Sequence, residues 1–193
     1  PNGNRLAVQT QQGVVSAAYD AQDRLLTHGD VAYTWADSGE LRTRFDIGSG
    51  EITDFDYDAA GSLRGVTLPD GRAIAYTTDA LGRRVGKTGD GAFAKAWLWR
   101  GGLQPVAELD GAGVVTKRFV YAGGVNSPAL IVTPTATYRL IKDHLGSVRL
   151  VVDVAAGVVV QRLEYDSWGR VLVDTNPGFQ PFGFAGGIYD RDT

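Results

Sequence analysis

The sequence predicts an all-β fold of repeated hairpins, and three observations carry that prediction. The element Asp-x-x-Gly recurs five times, at Asp58–Gly61, Asp79–Gly82, Asp110–Gly113, Asp143–Gly146 and Asp166–Gly169. An aspartate at the first position of a type I turn accepts bonds from the amides ahead of it. Glycine three residues on takes the positive φ that closes the turn. Glycine also numbers 26 of 193 residues, against roughly 7% in ordinary chains. It is spread among Tyr, Trp, Val and Thr, the composition of short strands joined by tight turns. Finally, no glycine-free segment of about 11 or more residues shows the i, i+3, i+4, i+7 apolar spacing of a capped helix. A device repeated this often marks a repeat protein. A hairpin of about 20 residues cannot bury its own face, so neighbours are expected to pair edge to edge in a continuous curled sheet.

Taken in order, Val14–Tyr19 reads as a strand that turns at Asp20–Asp23. Asp23 fills the glycine slot there, because aspartate enters the left-handed region more readily than most residues. Val31–Trp35 alternates with period two, and Asp37-Ser38-Gly39 turns it into Glu40–Phe45. Asp37, Asp58 and Asp79 lie 21 residues apart, which fits one two-stranded unit per repeat. Tyr57 and Leu63 flank the Asp58 turn as strand formers. Pro69-Asp70-Gly71-Arg72 reads as a second turn type, a tight Asp-Gly hairpin between Leu63–Leu68 and Ala73–Tyr76.

Beyond Val85 the intervals between turn aspartates lengthen to 31, 33 and 23 residues. Ala94–Arg100 is an aromatic strand broken by Gly101-Gly102, and Pro105–Leu109 with Val114–Tyr121 forms a further hairpin. A loop at Ala122–Pro128 leads to strands at Ala129–Val132 and Ala136–Ile141. An apolar strand then runs from the Gly146 turn to Asp153 and ends at Ala155–Gly157. Val158–Tyr165 pairs back and turns into Arg170–Val173, and the tail Asn176–Gly187 is aromatic and loop-like. The expected organisation is one continuous unit. Its parts are repeat hairpins over residues 1–90, an irregular continuation over 91–137 and a closing segment over 138–193.

Composition narrows the functional classes. Nineteen basic residues stand against 22 acidic ones, a net charge of -3 without a basic cluster. That balance gives no electrostatic hold on nucleic acid or an anionic membrane. There is no cysteine, so disulfides and thiolate metal sites are excluded and either redox compartment is open. No run of about 18 apolar residues exists to span a bilayer. The chain begins Pro1-Asn2-Gly3 and holds no Met, which reads as a piece excised from something longer.

Several residues invite sharper readings. Gly86-Lys87-Thr88 suggests a phosphate loop, but the required upstream glycine is Leu81 and no helix follows, so a turn is expected. His144, beside Asp143, sits inside a turn copy; with His28 the only other histidine, a histidine metal site would need carboxylates to complete it. Asp190 and Asp192 form a candidate acid-base pair, with the bland alternative of a turn aspartate and its neighbour. Ser147 and Ser167 have no base placed by sequence and no nucleophile elbow. The aromatics Trp97, Trp99, Phe179, Phe182 and Phe184 suit cross-strand packing, or stacking on sugars or bases. No catalytic, metal or cofactor-binding residue is assigned.

The ordered motifs support a family resemblance. Tyr57-Asp58-x-x-Gly61-x-Leu63 and Tyr165-Asp166-x-x-Gly169-Arg170 resemble the YD repeat of Rhs and teneurin-like proteins. Asp143-His144-Leu145-Gly146-Ser147-Val148-Arg149, then Tyr165-Asp166-Ser167-Trp168-Gly169-Arg170, then Phe182-Gly183-Phe184-Ala185-Gly186-Gly187-Ile188-Tyr189-Asp190, is similar to the signature that closes the Rhs core. The resemblance implies a hollow β-cage, secreted or at the cell surface, that encloses and shields a C-terminal cargo or toxin polypeptide. Secretion machinery would deliver it to competing or host cells. Its implied partners are the remaining repeats of the shell, or another chain covering strand edges, and the enclosed cargo, with no cofactor. In many members an aspartate pair downstream of the core frees the cargo, and that pattern would lie beyond Thr193. On this reading the chain is not itself an enzyme. An adhesion or carbohydrate-binding surface and the product of a self-cleaving precursor are the alternatives. The expected structural residues are the ten turn positions named above, with Tyr57, Tyr165 and Trp168 packing the sheet.

Overall fold

The computed structural model describes residues 2–10, 13–123 and 126–193. Pro1, and Gly124 and Val125 of the expected loop, lie outside the described residues. The described elements are seventeen antiparallel strands and one short 3-10 turn, so the all-β expectation holds. The chain divides into two compact units: Pro1–Thr78 with Thr88–Ala92, and Asp79–Lys87 with Phe93–Thr193.

The first unit contains β1 (Ala7–Thr10), β2 (Gly13–Tyr19), β3 (Leu25–His28), β4 (Val31–Trp35), β5 (Leu41–Asp46), β6 (Ile52–Tyr57), β7 (Leu63–Thr67) and β8 (Ala73–Thr78). Each strand pairs antiparallel with the next in sequence. Most positions alternate between half-buried and exposed. A small cluster of Val66, Leu68, Ile74 and Tyr76 is fully buried, with Phe55 and Leu63 packed on it.

The next two strands, β9 (Arg84–Gly89) and β10 (Ala92–Arg100), pair with each other. Their turn sets both Asp90 (φ 49°) and Gly91 (φ 78°) left-handed, which is the demand of a type I′ hairpin. Gly86-Lys87-Thr88 therefore lies within β9, where a turn was expected. The second unit continues with β11 (Gln104–Asp110), β12 (Val115–Val120), β13 (Leu130–Val132), β14 (Thr137–Lys142), β15 (Val148–Asp153), β16 (Val159–Tyr165) and β17 (Val171–Asp174). From β10 onward each strand again pairs with its successor. Its core gathers Phe119, Ile131, Leu140, Val148, Val151, Leu163 and Phe182.

One turn geometry closes most hairpins. At Asp58 the main chain bonds Asp58 N–H to Ser62 C=O and Gly61 N–H to Asp58 C=O, both at 3.0 Å. One carboxylate oxygen of Asp58 accepts from the amides of Ala60 and Ser62, each at 2.9 Å. Asp79, Asp110, Asp143 and Asp166 repeat both contacts at 2.8–3.0 Å. All five glycines have φ between 71° and 88°. This is the three-residue hairpin loop with a left-handed closing residue and a bulge. The bulge appears as a register shift one residue before the turn, as at Asp56/Tyr57 and Glu164/Tyr165. Asp20 makes the same pair of amide contacts, with Asp23 at φ 63° in the glycine slot.

Two expected turns take a different form. Near Asp37 the bonded position is Ala36, whose N–H reaches Glu40 C=O and whose C=O receives Gly39 N–H. The closing glycines Gly39, Gly61 and Gly82 are thus 22 and 21 residues apart, and the even spacing of the aspartates came from a one-residue offset. The Asp70-Gly71 turn is no second type. Leu68 holds the first position, bonded to Arg72 and Gly71, and Gly71 closes it at φ 85°. A true second type is a loop one residue longer, Asp46–Gly50 and Asp153–Gly157, with the aspartate again capping amides inside it.

The bulge also explains the residues that bracket the turn. Tyr57 stands opposite Leu63, Tyr19 opposite Leu25, Trp35 opposite Leu41 and Tyr165 opposite Val171. Each aromatic–aliphatic pair seals the end of its hairpin, the side-chain contact that stabilises a ladder by about 0.2–1 kcal/mol. Trp168 departs from its expected packing role, being 71% exposed. It sits third in its turn, as Leu81 and Leu145 do at 72% and 51% exposure, and that position projects away from the strands.

Gly82 and Gly169 separate backbone strain from steric fit. A Cβ at Gly82 meets nothing within 4 Å, whereas at Gly169 it falls 2.8 Å from Phe184 Cδ1. Gly82→Ala is expected to cost about 1 kcal/mol, from φ alone. Gly169→Val is expected to cost about 3 kcal/mol or more once β-branching and the clash are added. Urea unfolding of both variants checks the ordering.

Acid sensitivity follows from the turn aspartates. The Asp79 carboxyl is held below its ordinary value, chiefly by its 2.7 Å bond from Arg83 Nε, and Asp20 is lowered chiefly by the Arg24 amide. A group lowered on folding stabilises the fold above its unfolded value, and that contribution is lost as pH falls through the folded value. Unfolding midpoints are expected to fall below about pH 4. Asp79→Asn should flatten part of that acid limb in a pH series of melting temperatures.

Candidate functional site

In the second unit the tail becomes a strap across one sheet face. The expected loop carries no strand, but it is anchored at every aromatic. Phe182 meets Phe119 edge to face at 4.9 Å, Phe179 meets Tyr138 at 4.9 Å and Phe184 meets Tyr165 at 5.7 Å. A bridge between Phe182 and Ile188 folds the strap on itself around the 3-10 turn Phe184–Gly186. Gln180 locks the approach by accepting from Phe182 N–H at 2.7 Å and donating to Phe182 C=O at 2.8 Å. Ala185 N–H donates to Ser147 Oγ at 2.9 Å, and Asn126 Nδ2 donates to Ala185 C=O. Ser147 is fully buried at this contact, whereas Ser167 is exposed.

The end of the strap is latched electrostatically. Lys87 Nζ lies 2.6 Å from Asp190 Oδ1 and 2.5 Å from Asp192 Oδ2, and Arg84 approaches Asp190 at 3.5 Å. Asp190 also accepts from Asp192 N–H at 3.1 Å, as a turn aspartate does. Lys87 and Arg84 set two positive charges against the two carboxylates, the arrangement of an electrostatic latch. His144 is exposed in its turn. Among the described residues no group of three or more His, Asp or Glu is placed to hold a metal ion.

Between strap and sheet lies a cleft of about 380 Å³, lined by β9, β10, β11, β16, β17 and the strap. Trp97, Glu108 and Lys117 stand in one cross-strand row, and Gln161, Leu163 and Tyr165 alternate along β16. Glu108 is only 3% exposed, with Oε1 held by Lys117 at 2.6 Å and Oε2 3.7 Å from Lys95. Gln161 is 1% exposed and spends its NH2 on Asp174 at 2.8 Å and Asn176 C=O at 3.0 Å. The Tyr165 hydroxyl is pushed up to about 12 by burial, with Asp174 adding to the shift and Arg149 opposing it.

The sequence did not single out Glu108, Gln161 or Asn126, and it marked Lys87 only within the Gly86-Lys87-Thr88 phosphate-loop candidate. The available signal was a glutamate and a glutamine at inward positions of otherwise apolar strands, Pro105-Val106-Ala107-Glu108-Leu109 and Val159-Val160-Gln161. The stacking surface suggested by Trp97 and Trp99 is not open. Trp97 is 5% exposed, and Trp99 is half-buried with its N–H bonded to Arg84 C=O at 2.9 Å.

The turn and its bracketing pair recur along the chain and one strap closes it, a pattern that the family comparison matches. The Teneurin YD-shell family model matches residues 1–193. The chain belongs to the Teneurin YD-shell family. It is 28% identical to mouse (Mus musculus) teneurin-4 over 178 residues, 89% of this chain and 6% of that protein. It is 27% identical to chicken (Gallus gallus) teneurin-1 over 198 residues, covering all of this chain and 7% of that protein. The chain thus spans under a tenth of the length of these relatives. Among solved structures it is similar to TcdB2-TccC3, at 16% identity and a TM-score of 0.41 over 82% of this chain and 9% of that one. It is also similar to the Photorhabdus luminescens Tc holotoxin pore, at 16% identity and a TM-score of 0.42 over 88% and 12%. No helix among the described residues is long and apolar enough to cross a membrane.

The strap should be the main fastening of this YD-shell segment. Phe182 is 1% exposed, so Phe182→Ala is expected to cost about 3–5 kcal/mol in denaturant unfolding. Lys87→Met should leave the core intact while speeding hydrogen exchange of the Tyr189–Asp192 amides, read residue by residue by NMR.

Proposed function

We propose that the chain is a wall section of a YD shell that encloses and shields a C-terminal cargo polypeptide. On this reading the shell is secreted or displayed at the cell surface and delivers its cargo to competing or host cells. Its partners are the remaining repeats of the shell, or another chain covering strand edges, together with the cargo and the secretion machinery. The observation that carries the reading is membership of the YD-shell family along all 193 residues. The strand order gives it physical sense. Within each unit every strand pairs with its sequence neighbour, so a hairpin passes its free edge to the next one. A ladder of that kind extends by adding repeats and needs no solid centre. The sparse core of the first unit, five fully buried side chains between Thr53 and Tyr76, is what a single layer provides.

The part assigned to this chain is structural. The ten turn residues close the wall's hairpins, and Tyr57 and Tyr165 seal their ends. The latched Asp190–Lys87–Asp192 group favours a fastening role over self-cleavage at that pair.

The experiment is limited proteolysis of the full-length precursor. The cargo segment is expected to resist trypsin until denaturant unfolds the shell, and to become sensitive in a Gly146→Val, Gly169→Val double variant under conditions the parent withstands. Cargo digested in the intact precursor as fast as it is alone would overturn the reading.

A further inference from the structure

Charge is divided unevenly between the two units. The first carries 12 acidic residues against 6 basic, and the second 10 against 13, so their net charges are -6 and +3. The total of -3 hides two opposed fields. Fields of opposite sign on one molecule attract a second copy of it, and salt screens the attraction.

In the second unit three arginines share the sheet face opposite the strap. Phe119, Ile131, Leu140, Val151 and Leu163 are buried with Phe182 of the strap. Side chains alternate along a strand, so the residues between these project from the other face. One row there crosses five strands as Val120, Leu130, Arg139, Val152 and Val159. The flanking rows set Arg118 against Val132 and Arg162 against Leu150. The arginines are exposed, and they step one row for every two strands, about 12 Å apart at ordinary sheet spacings. Val120, Ile141 and Val159 remain 43–54% exposed around them. Among the described residues Arg118 and Arg139 form no ion pair, and Arg162 reaches only Glu164 on its own strand. An open apolar face carrying unspent guanidinium groups is the make-up of a contact surface.

The first unit offers the complement. On β6, Asp54 and Asp56 project from the face opposite the buried Thr53, Val66 and Ile74. Asp54 stands in a row with Thr34, Thr43, Thr67 and Ala73, and Asp56 with Gly65 and Ala75. Both carboxylates are exposed, and neither joins an ion pair among the described residues. The small neighbours leave that face low and flat. Long arginines and branched aliphatic side chains fit such a face when two sheets pack about 10 Å apart. We infer that the acidic face of β5–β8 in one copy docks on the arginine face of β12–β16 in a second copy. The contact stands independently of the encapsulation reading, because it needs no cargo.

The test is sedimentation velocity of this chain at about 10–200 µM, in about 20 mM and about 500 mM salt. Mass is expected to rise with concentration in low salt and to return to that of the monomer in high salt. An Arg118→Glu, Arg139→Glu variant and an Asp54→Lys, Asp56→Lys variant are each expected to associate at least roughly tenfold more weakly. Mixed in equal amounts they should recover the parent's association, since every contact between unlike variants again opposes the charges. A misfolded variant gives no such rescue. Variants that stay apart when mixed would overturn the inference, as would a parent that is monomeric throughout. Association indifferent to salt and to both variants would mark strand-edge pairing and overturn it too. Binding to phosphatidylglycerol vesicles by a chain that remains monomeric would give the arginine face to a membrane surface and end the proposal.

Discussion

The structure depends on one carboxylate oxygen accepting two backbone amides across a turn. That contact satisfies the amides of the third and fifth residues of the turn while the glycine between them goes left-handed. The resulting bulge then fixes everything beyond the turn. It shifts register by one residue, so the residue before the aspartate faces the residue two after the glycine. That is why Tyr-Asp-x-x-Gly-x-Leu is a unit: tyrosine and leucine are partners across the bulge. Remove the capping oxygen and two amides lose their acceptor, although the backbone bonds alone still close the turns at Ala36 and Leu68 with left-handed glycines.

Arginine adds a second function to the same turn. Arg24 and Arg83 pair with Asp20 and Asp79 through Nε and reach onward to Ala36 and Gly101 carbonyls at 3.2 and 2.7 Å. Trp35 and Tyr121 do likewise from the strands, donating to Leu25 and Pro105 carbonyls at 2.8 and 2.9 Å. Hairpins are therefore tied at their turn ends as well as along their ladders. A single layer with few buried side chains needs such ties, because hydrophobic burial alone stabilises it weakly.

How much of this was legible in the sequence follows from what each feature depends on. The Asp-x-x-Gly turns were readable because a local bond makes them and the two residue types are nearly obligatory. Where the backbone alone suffices, the signal misleads. Ala36 and Leu68 hold the capping position without a carboxylate, so the adjacent Asp37 and Asp70 drew the reading one or two residues out of place. Gly86-Lys87-Thr88 looked like a turn because glycine is a strand breaker on average, yet its amides are spent in a hairpin closed by Asp90-Gly91. Trp168 carried the opposite error. A tryptophan suggests burial, but turn geometry decides where its side chain points before hydrophobicity can act. The strap was illegible because its partners, Phe119, Tyr138 and Ser147, are distant in sequence, and no local pattern records them.

The cleft residues show where uniform repetition stops. Turn aspartates and glycines act at strand ends, and any hairpin in the ladder can carry them without altering its neighbours. Glu108 and Gln161 sit at inward positions in the middle of strands, where a valine or leucine would fit the ladder better and leave no buried polar group to satisfy. Their placement cannot be explained by the repeat, since hairpins without them close in the same way. Gln161 also holds the root of the strap, through Asn176 C=O at 3.0 Å, while Glu108 pairs with Lys117 and Lys95. What distinguishes the second unit is that its face is both covered and polar beneath the cover. Beneath the strap the polar groups answer one another, Glu108 against Lys117 and Lys95 and Gln161 against Asp174 and Asn176, so the cover is tied to the sheet by charge and hydrogen bonds as well as by its aromatic anchors.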